Sequence, residues 1–323
     1  MHHDARPAWI RARTCCMLPM LRDANCSGPW RRPIAGALLL AAATALTGCS
    51  PRMALLQGVA NELASQGQLQ EEDLGLARDA AAFYLKLSES VLMRTPGHLE
   101  LAASVAGGFT QYAYAFVAFD ADRLDGTDTR AALLQRQRAA RLYARAQRHG
   151  LSALEQSLPG FGKALAAQTP PPLPAEAVGV AYWAAAAWGA QIALSKDSPE
   201  TVADLPLAIR LAELAYAVNP DHAQGALAVL LAQFELARPG VPRRDAEARA
   251  QDYLMRAERA AGGTSAAVLL ARAEGLAEPA GDRTAFEALL RQALAVAAGR
   301  PDLASQVLRA RAQWLLDTVD DRF

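Results

Sequence analysis

The sequence predicts an all-α protein, and three observations carry that expectation. Alanine, the strongest helix former, recurs in nearly every block of ten residues. Apolar residues return at three- and four-residue steps through most of the chain, the spacing of a buried helix face. No segment shows a sustained alternation of β-branched residues, so no strand is expected. Composition excludes other classes. The 323 residues are 52% apolar and 20% charged, too apolar for a disordered chain. With 33 Lys+Arg against 33 Asp+Glu the chain is formally neutral, which argues against a nucleic-acid-binding protein, because nothing offsets a phosphate backbone overall.

The N-terminus reads as a targeting segment. Arg31 and Arg32 precede an apolar run from Ile34 to Leu46, 13 residues long. A bilayer span needs roughly 20, so the run fits the apolar core of a signal peptide. Leu46-Thr47-Gly48-Cys49 follows directly and has the form of a bacterial lipobox, with Cys49 as the lipidation site. Residues 1–48 are then the signal peptide, and Met17 or Met20 gives a more ordinary start than Met1. Residues 49–70 are expected to form the lipidated tether with a first short helix. Ser50 follows the cysteine and no Asp retention signal is present, which points to the outer membrane rather than the inner. Cys15, Cys16 and Cys26 fall in the removed segment. The mature chain therefore has no free thiol for a disulfide, a nucleophile or a zinc site. It keeps 27 Lys+Arg against 31 Asp+Glu, a net charge of −4.

From residue 71 the chain reads as successive helices with recognisable stops. Residues 71–94 end at Thr95-Pro96-Gly97, and 98–124 end near Asp125-Gly126. Residues 127–158 begin at a Thr127 or Asp128 cap and end at Pro159-Gly160. A short helix is expected over 162–167. The TPPPLP stretch at 169–174 is a linker, since it cannot continue a helix. The second half gives helices over 175–195, 201–218, 221–237, 243–261, 265–276 and 282–298, each closed by Pro, Gly or Asn, and a last helix over 302–317 that finishes the chain.

Small residues at fixed offsets suggest paired repeats. Ala208, Ala212, Ala215 and Pro220 fit the second helix of a tetratricopeptide unit, as do Ala250, Leu254 and Ala257, with Phe286, Leu290 and Ala293 as a third copy. The fold class is thus a helical-hairpin solenoid or bundle with degenerate tetratricopeptide-like repeats.

Chemistry is hard to find in this pattern. No GxSxG, HExxH or SxxK motif occurs. Gly160-Phe161-Gly162-Lys163 fails as a phosphate loop, because Ser157 stands at the first glycine and Ala164 follows the lysine. His98, His149 and His222 read as surface or capping residues near helix ends. No pair of carboxylates has a reason to be buried together. No catalytic residue, metal or cofactor is expected, and the protein is read as a non-enzyme.

Three features are sharper. Val105, Phe109, Tyr112, Phe116 and Phe119 form one stripe with Tyr114 beside it; it is either packing core or the wall of a groove or pore. The hydroxyls favour a partly wet position for Tyr112 and Tyr114, while Phe116 and Phe119 suit the core. Residues 175–195 are apolar nearly all round, and Trp183 and Trp188 stand about 140° apart on that helix. Both cannot face one seam, so one of them is a further lining candidate. Arg138, Arg141, Arg145 and Arg148 make a stripe that is either a solvated face or a contact for an anion or acidic partner.

The chain resembles the T component (TatT type) of the TPR-associated tripartite ATP-independent periplasmic (TRAP) transporters. The resemblance rests on the FYLKLSESVL stretch at 83–92, YAYAFVAF at 112–119, RAARLYARAQRHGLSAL at 138–154, YWAAAAWGAQIALS at 182–195, LAELAYAVNP at 211–220 and RAQWLLDTVDDRF at 311–323. It implies an all-helical lipoprotein that forms oligomers, trimers by resemblance, around a pore. It also implies docking of a periplasmic solute-binding protein and transfer of a ligand, perhaps a hydrophobic one. The alternative is a repeat scaffold for envelope assembly that works through protein contacts without transport.

Overall fold

The computed structural model describes residues 51–65 and 73–323. Cys49 and the signal segment lie outside the described residues. Among those described, every regular element is helical and no strand occurs, so the all-α expectation holds. No described helix is long and apolar enough to cross a membrane.

The first elements are α1 (Pro51–Ser65), α2 (Leu74–Leu92) and α3 (Leu99–Tyr112). Asp73 caps α2 by accepting hydrogen bonds from the Gly75 and Leu76 N–H groups, and the His98 ring accepts from Leu101 N–H at the start of α3. The sequence predicted one uninterrupted helix through this region. The structure instead inserts a π-helical turn, Ala113–Ala118, before α4 (Phe119–Leu124). There the Phe119 N–H reaches back five residues to the Tyr114 carbonyl. The extra residue per turn re-aims every side chain beyond it.

The middle of the chain holds α5 (Thr129–Ser157), the short α6 (Phe161–Ala166), a 3₁₀ turn at Ala175–Ala177, and α7 (Val178–Ala193). Helices α3, α5 and α7 pack against one another and share the main apolar core. Alanine and glycine let them approach closely. A Cβ on Gly107 would stand 2.7 Å from the Trp183 ring, so the indole lies flat against bare α3 backbone.

Next come α8 (Pro199–Ala203), α9 (Leu205–Val218), α10 (His222–Ala237) and α11 (Arg243–Ala260). The start of α10 is not regular: Ala223, Gln224 and Gly225 all have positive φ. Gly225 is required there, because a Cβ would meet the Ala257 backbone at 2.7 Å. The chain closes with α12 (Ala266–Arg272), a second π-helical turn (Ala273–Ala277), α13 (Arg283–Ala297), α14 (Leu303–Asp317) and a 3₁₀ turn at Val319–Asp321. The residues with tetratricopeptide offsets, Ala208, Ala212 and Ala215, then Ala250, Leu254 and Ala257, then Phe286, Leu290 and Ala293, are all buried at helix contacts.

Candidate functional site

The aromatic run of α3 and its π turn divides by depth. Phe109, Phe116 and Phe119 are buried, as expected for core. Tyr112 and Tyr114 are half-buried. Tyr112 meets Phe116 edge to face at 5.5 Å. Tyr114, which a straight α-helix leaves off the stripe, is turned toward α14 and lies 5.6 Å from the Arg311 guanidinium. Burial pushes the Tyr114 phenol up to about 12, so the hydroxyl stays protonated.

On α7 the two tryptophans part company. Trp188 is 5% exposed and packs in the core. Trp183 is half-buried, with Tyr182 at 4.7 Å. Tyr182 in turn touches His222 at 5.4 Å, and burial lowers the His222 pKa. Tyr112, Tyr114 and Trp183 are therefore the partly open aromatics of the expected lining set.

The arginine stripe of α5 also divides. Arg138, Arg141 and Arg148 are exposed. Arg145 is not available to a partner, because its guanidinium grips both carboxylate oxygens of Glu89 and lies over the Phe109 ring at 4.9 Å. Glu89 is 3% exposed. Lys86 Nζ at 2.6 Å and His149 Nε2 at 2.7 Å complete its shell. His149 is thus an interior residue of α5 stacked on Phe109 at 6.1 Å, not a helix-end residue. Burial alone raises the Glu89 pKa; the hydrogen bonds from Arg145, Lys86 and His149 outweigh it and hold the carboxyl at about 2.

A second charged centre has no counterpart in the sequence reading. Arg311 of α14 is 14% exposed at its side chain. It donates to Glu274 in a two-bond fork at 2.7 and 3.0 Å and to Asp122 of α4 at 3.1 Å. Its guanidinium also lies within 6 Å of Tyr114, Phe119 and Trp314. Glu274 sits in the second π turn and Tyr114 in the first, so both irregular turns present a side chain to the same cation. The carboxylates hold Arg311 firmly charged. Only the helical spacing of Arg311 and Trp314 hinted at this centre, since its partners lie 37 and 189 residues away.

The described residues contain no group of three or more His, Cys, Asp or Glu placed to hold a metal ion. Buried charges are paired with opposite charges and rings, an arrangement that fixes helices and shapes an aromatic wall.

The family model for the TRAP transporter T-component matches residues 70–323. Among curated proteins, the chain is similar to an uncharacterized protein of Treponema pallidum (strain Nichols), 26% identical over 264 residues, which cover 79% of this chain and 81% of the relative. The T-component is an accessory of TRAP transporters, associated with the cell envelope and not known for catalysis. With the match spanning most of its length, the chain belongs to the TRAP transporter T-component family.

Proposed function

We propose that the protein is a lipid-anchored, periplasm-facing adaptor that docks the solute-binding protein of a TRAP system and helps pass on its ligand. The observation that carries this reading is the family match over residues 70–323. The half-buried Tyr112, Tyr114 and Trp183 support an aromatic path, since each offers a ring face with a polar edge, and such a path suits a hydrophobic ligand. Exposed Arg138 and Arg141 suit acidic side chains of the docked partner. On α2, Leu76, Phe83 and Leu87 recur at helical spacing and are 58%, 68% and 40% exposed. A solvent-facing apolar stripe of this kind supports self-association, as a trimer by family resemblance.

Anchoring rests on Cys49. Three acyl chains bury methylenes at about 0.8 kcal/mol each, enough for stable attachment. Cys49→Ala is expected to abolish fatty-acid labelling; unchanged labelling overturns the anchor. A pull-down from detergent-solubilised envelope tests the adaptor role. Recovery of the cognate solute-binding protein supports docking. Recovery of envelope-assembly proteins alone supports the scaffold reading.

A further inference from the structure

We propose that the outward face of α1, centred on Leu55 and Val59, docks into the surface of the lipid bilayer that holds the anchor. This rests on the lipidation of Cys49 proposed above and adds a second membrane contact, made by the folded domain itself.

The packing of α1 leaves that face unexplained. One side of the helix serves the core: Ala60 and Leu63 are 0% and 8% exposed, and α1 packs on α2 and α3. A helix with one core face ordinarily turns polar side chains to water. Instead Leu55 is 71% and Val59 41% exposed. They stand four residues apart, so both lie on one side of the helix. Gly58 lies beside them, and a Cβ there would meet nothing within 4 Å. The surface is therefore open as well as apolar. No charged residue occurs from 53 to 61, so this stretch enters a headgroup layer without stripping water from a charge.

The place of the face in the chain selects the occupant. Helix α1 begins at Pro51, two residues after Cys49. Two extended residues span at most about 7 Å, and four helical residues add about 6 Å. Leu55 is thus held within about 13 Å of a residue whose acyl chains sit in the bilayer, and Val59 within about 19 Å. Apolar helix faces at an interface sink about 5–10 Å into the boundary of headgroups and acyl chains. With α1 lying along the surface, Leu55 and Val59 both fit within that depth. A soluble partner would have to compete for this face with lipid already tethered beside it. The apolar stripe of α2 is a different face on a different helix and begins only at Leu76. Docking of α1 gives the domain a fixed orientation over the membrane, which an acyl tether alone does not.

Fluorophores on single cysteines test this in the lipidated mature chain, reconstituted in vesicles of phosphatidylethanolamine and phosphatidylglycerol. The mature chain has no cysteine besides Cys49, so Leu55→Cys and Gln57→Cys each take one environment-sensitive label. Gln57 is also exposed but points about 160° away from Leu55 at about 100° per residue. When the lipids are brominated along their chains, the label at 55 is expected to be quenched about threefold and the label at 57 hardly at all. Equal quenching at 55 and 57 overturns the proposal, since nearness to the anchor alone then explains it. So does a label at 55 that stays unquenched, whether its emission reports water or, by a blue shift, the cover of a second copy. Flotation separates the anchor from the face. A chain that does not float with the vesicles overturns the lipidation reading and this proposal together, whereas a chain that floats with an unquenched label at 55 overturns the docking alone.

Discussion

Around Glu89 a carboxylate is enclosed by two cations and a histidine ring, whereas around Arg311 a guanidinium is enclosed by two carboxylates and three rings. The first centre is redundant and ties helices of the N-terminal half, since α2 and α5 supply every charged member. The second depends on one side chain and ties α14 to α4, 189 residues apart in sequence. It also serves both π-helical turns. Charge enclosed by several partners tolerates the loss of one; a single cation bridging distant elements does not. The Arg311 centre is therefore the more fragile of the two, although its carboxylates remain about one-third exposed.

That contrast sets the order of expected effects. Arg311→Ala is expected to lower unfolding free energy by about 3 kcal/mol, the lower end for breaking a buried ion pair because Asp122 and Glu274 keep some water. Urea unfolding measures it. Arg145→Ala is expected to cost less, about 2 kcal/mol, because Lys86 and His149 still serve Glu89. Equal losses in the two variants would break the comparison.

The acid limb sharpens it. Glu89 is held below its ordinary 4.5 at about 2, so the folded state favours its ionised form. Its contribution is complete above pH 4.5 and is lost as pH falls through about 2. Urea midpoints should therefore decline across that window. Glu89→Gln, already lacking the charge, should show a flatter decline. An acid limb as steep as in the parent would show that other carboxylates carry the dependence.

The helical class was legible because alanine content and Pro/Gly stops are local signals, and helices such as α5 and α11 follow them to within a few residues. The aromatic residues were legible too, down to the depth difference between Tyr112 and Phe116. What escaped was set by tertiary contacts. The π turn at Ala113–Ala118 has no motif of its own; Arg78 reaches across from α2 to bond the Phe116 carbonyl at 3.2 Å and Asp120 at 2.7 Å. Arg145 looked like one of four equivalent arginines, and only the position of Glu89 singles it out. The ion pairs that Arg238 makes with Glu213 and Glu235 likewise belong to the packing of α9 and α10, which no spacing in the chain announces.

The smallest expected change in stability is the most informative about function. Tyr112 is half-buried while Phe116 beside it is 6% exposed. Phe116→Ala should cost about 3 kcal/mol or more, as large core truncations do, whereas Tyr112→Ala should cost under about 1 kcal/mol. The direct test of the adaptor account is to melt the Tyr112→Ala protein and, in parallel, measure its binding to the cognate solute-binding protein and the transfer of ligand. The account predicts a nearly unchanged melting temperature with weakened ligand capture or transfer. A large drop in melting temperature, with binding and transfer per folded molecule unchanged, would contradict it.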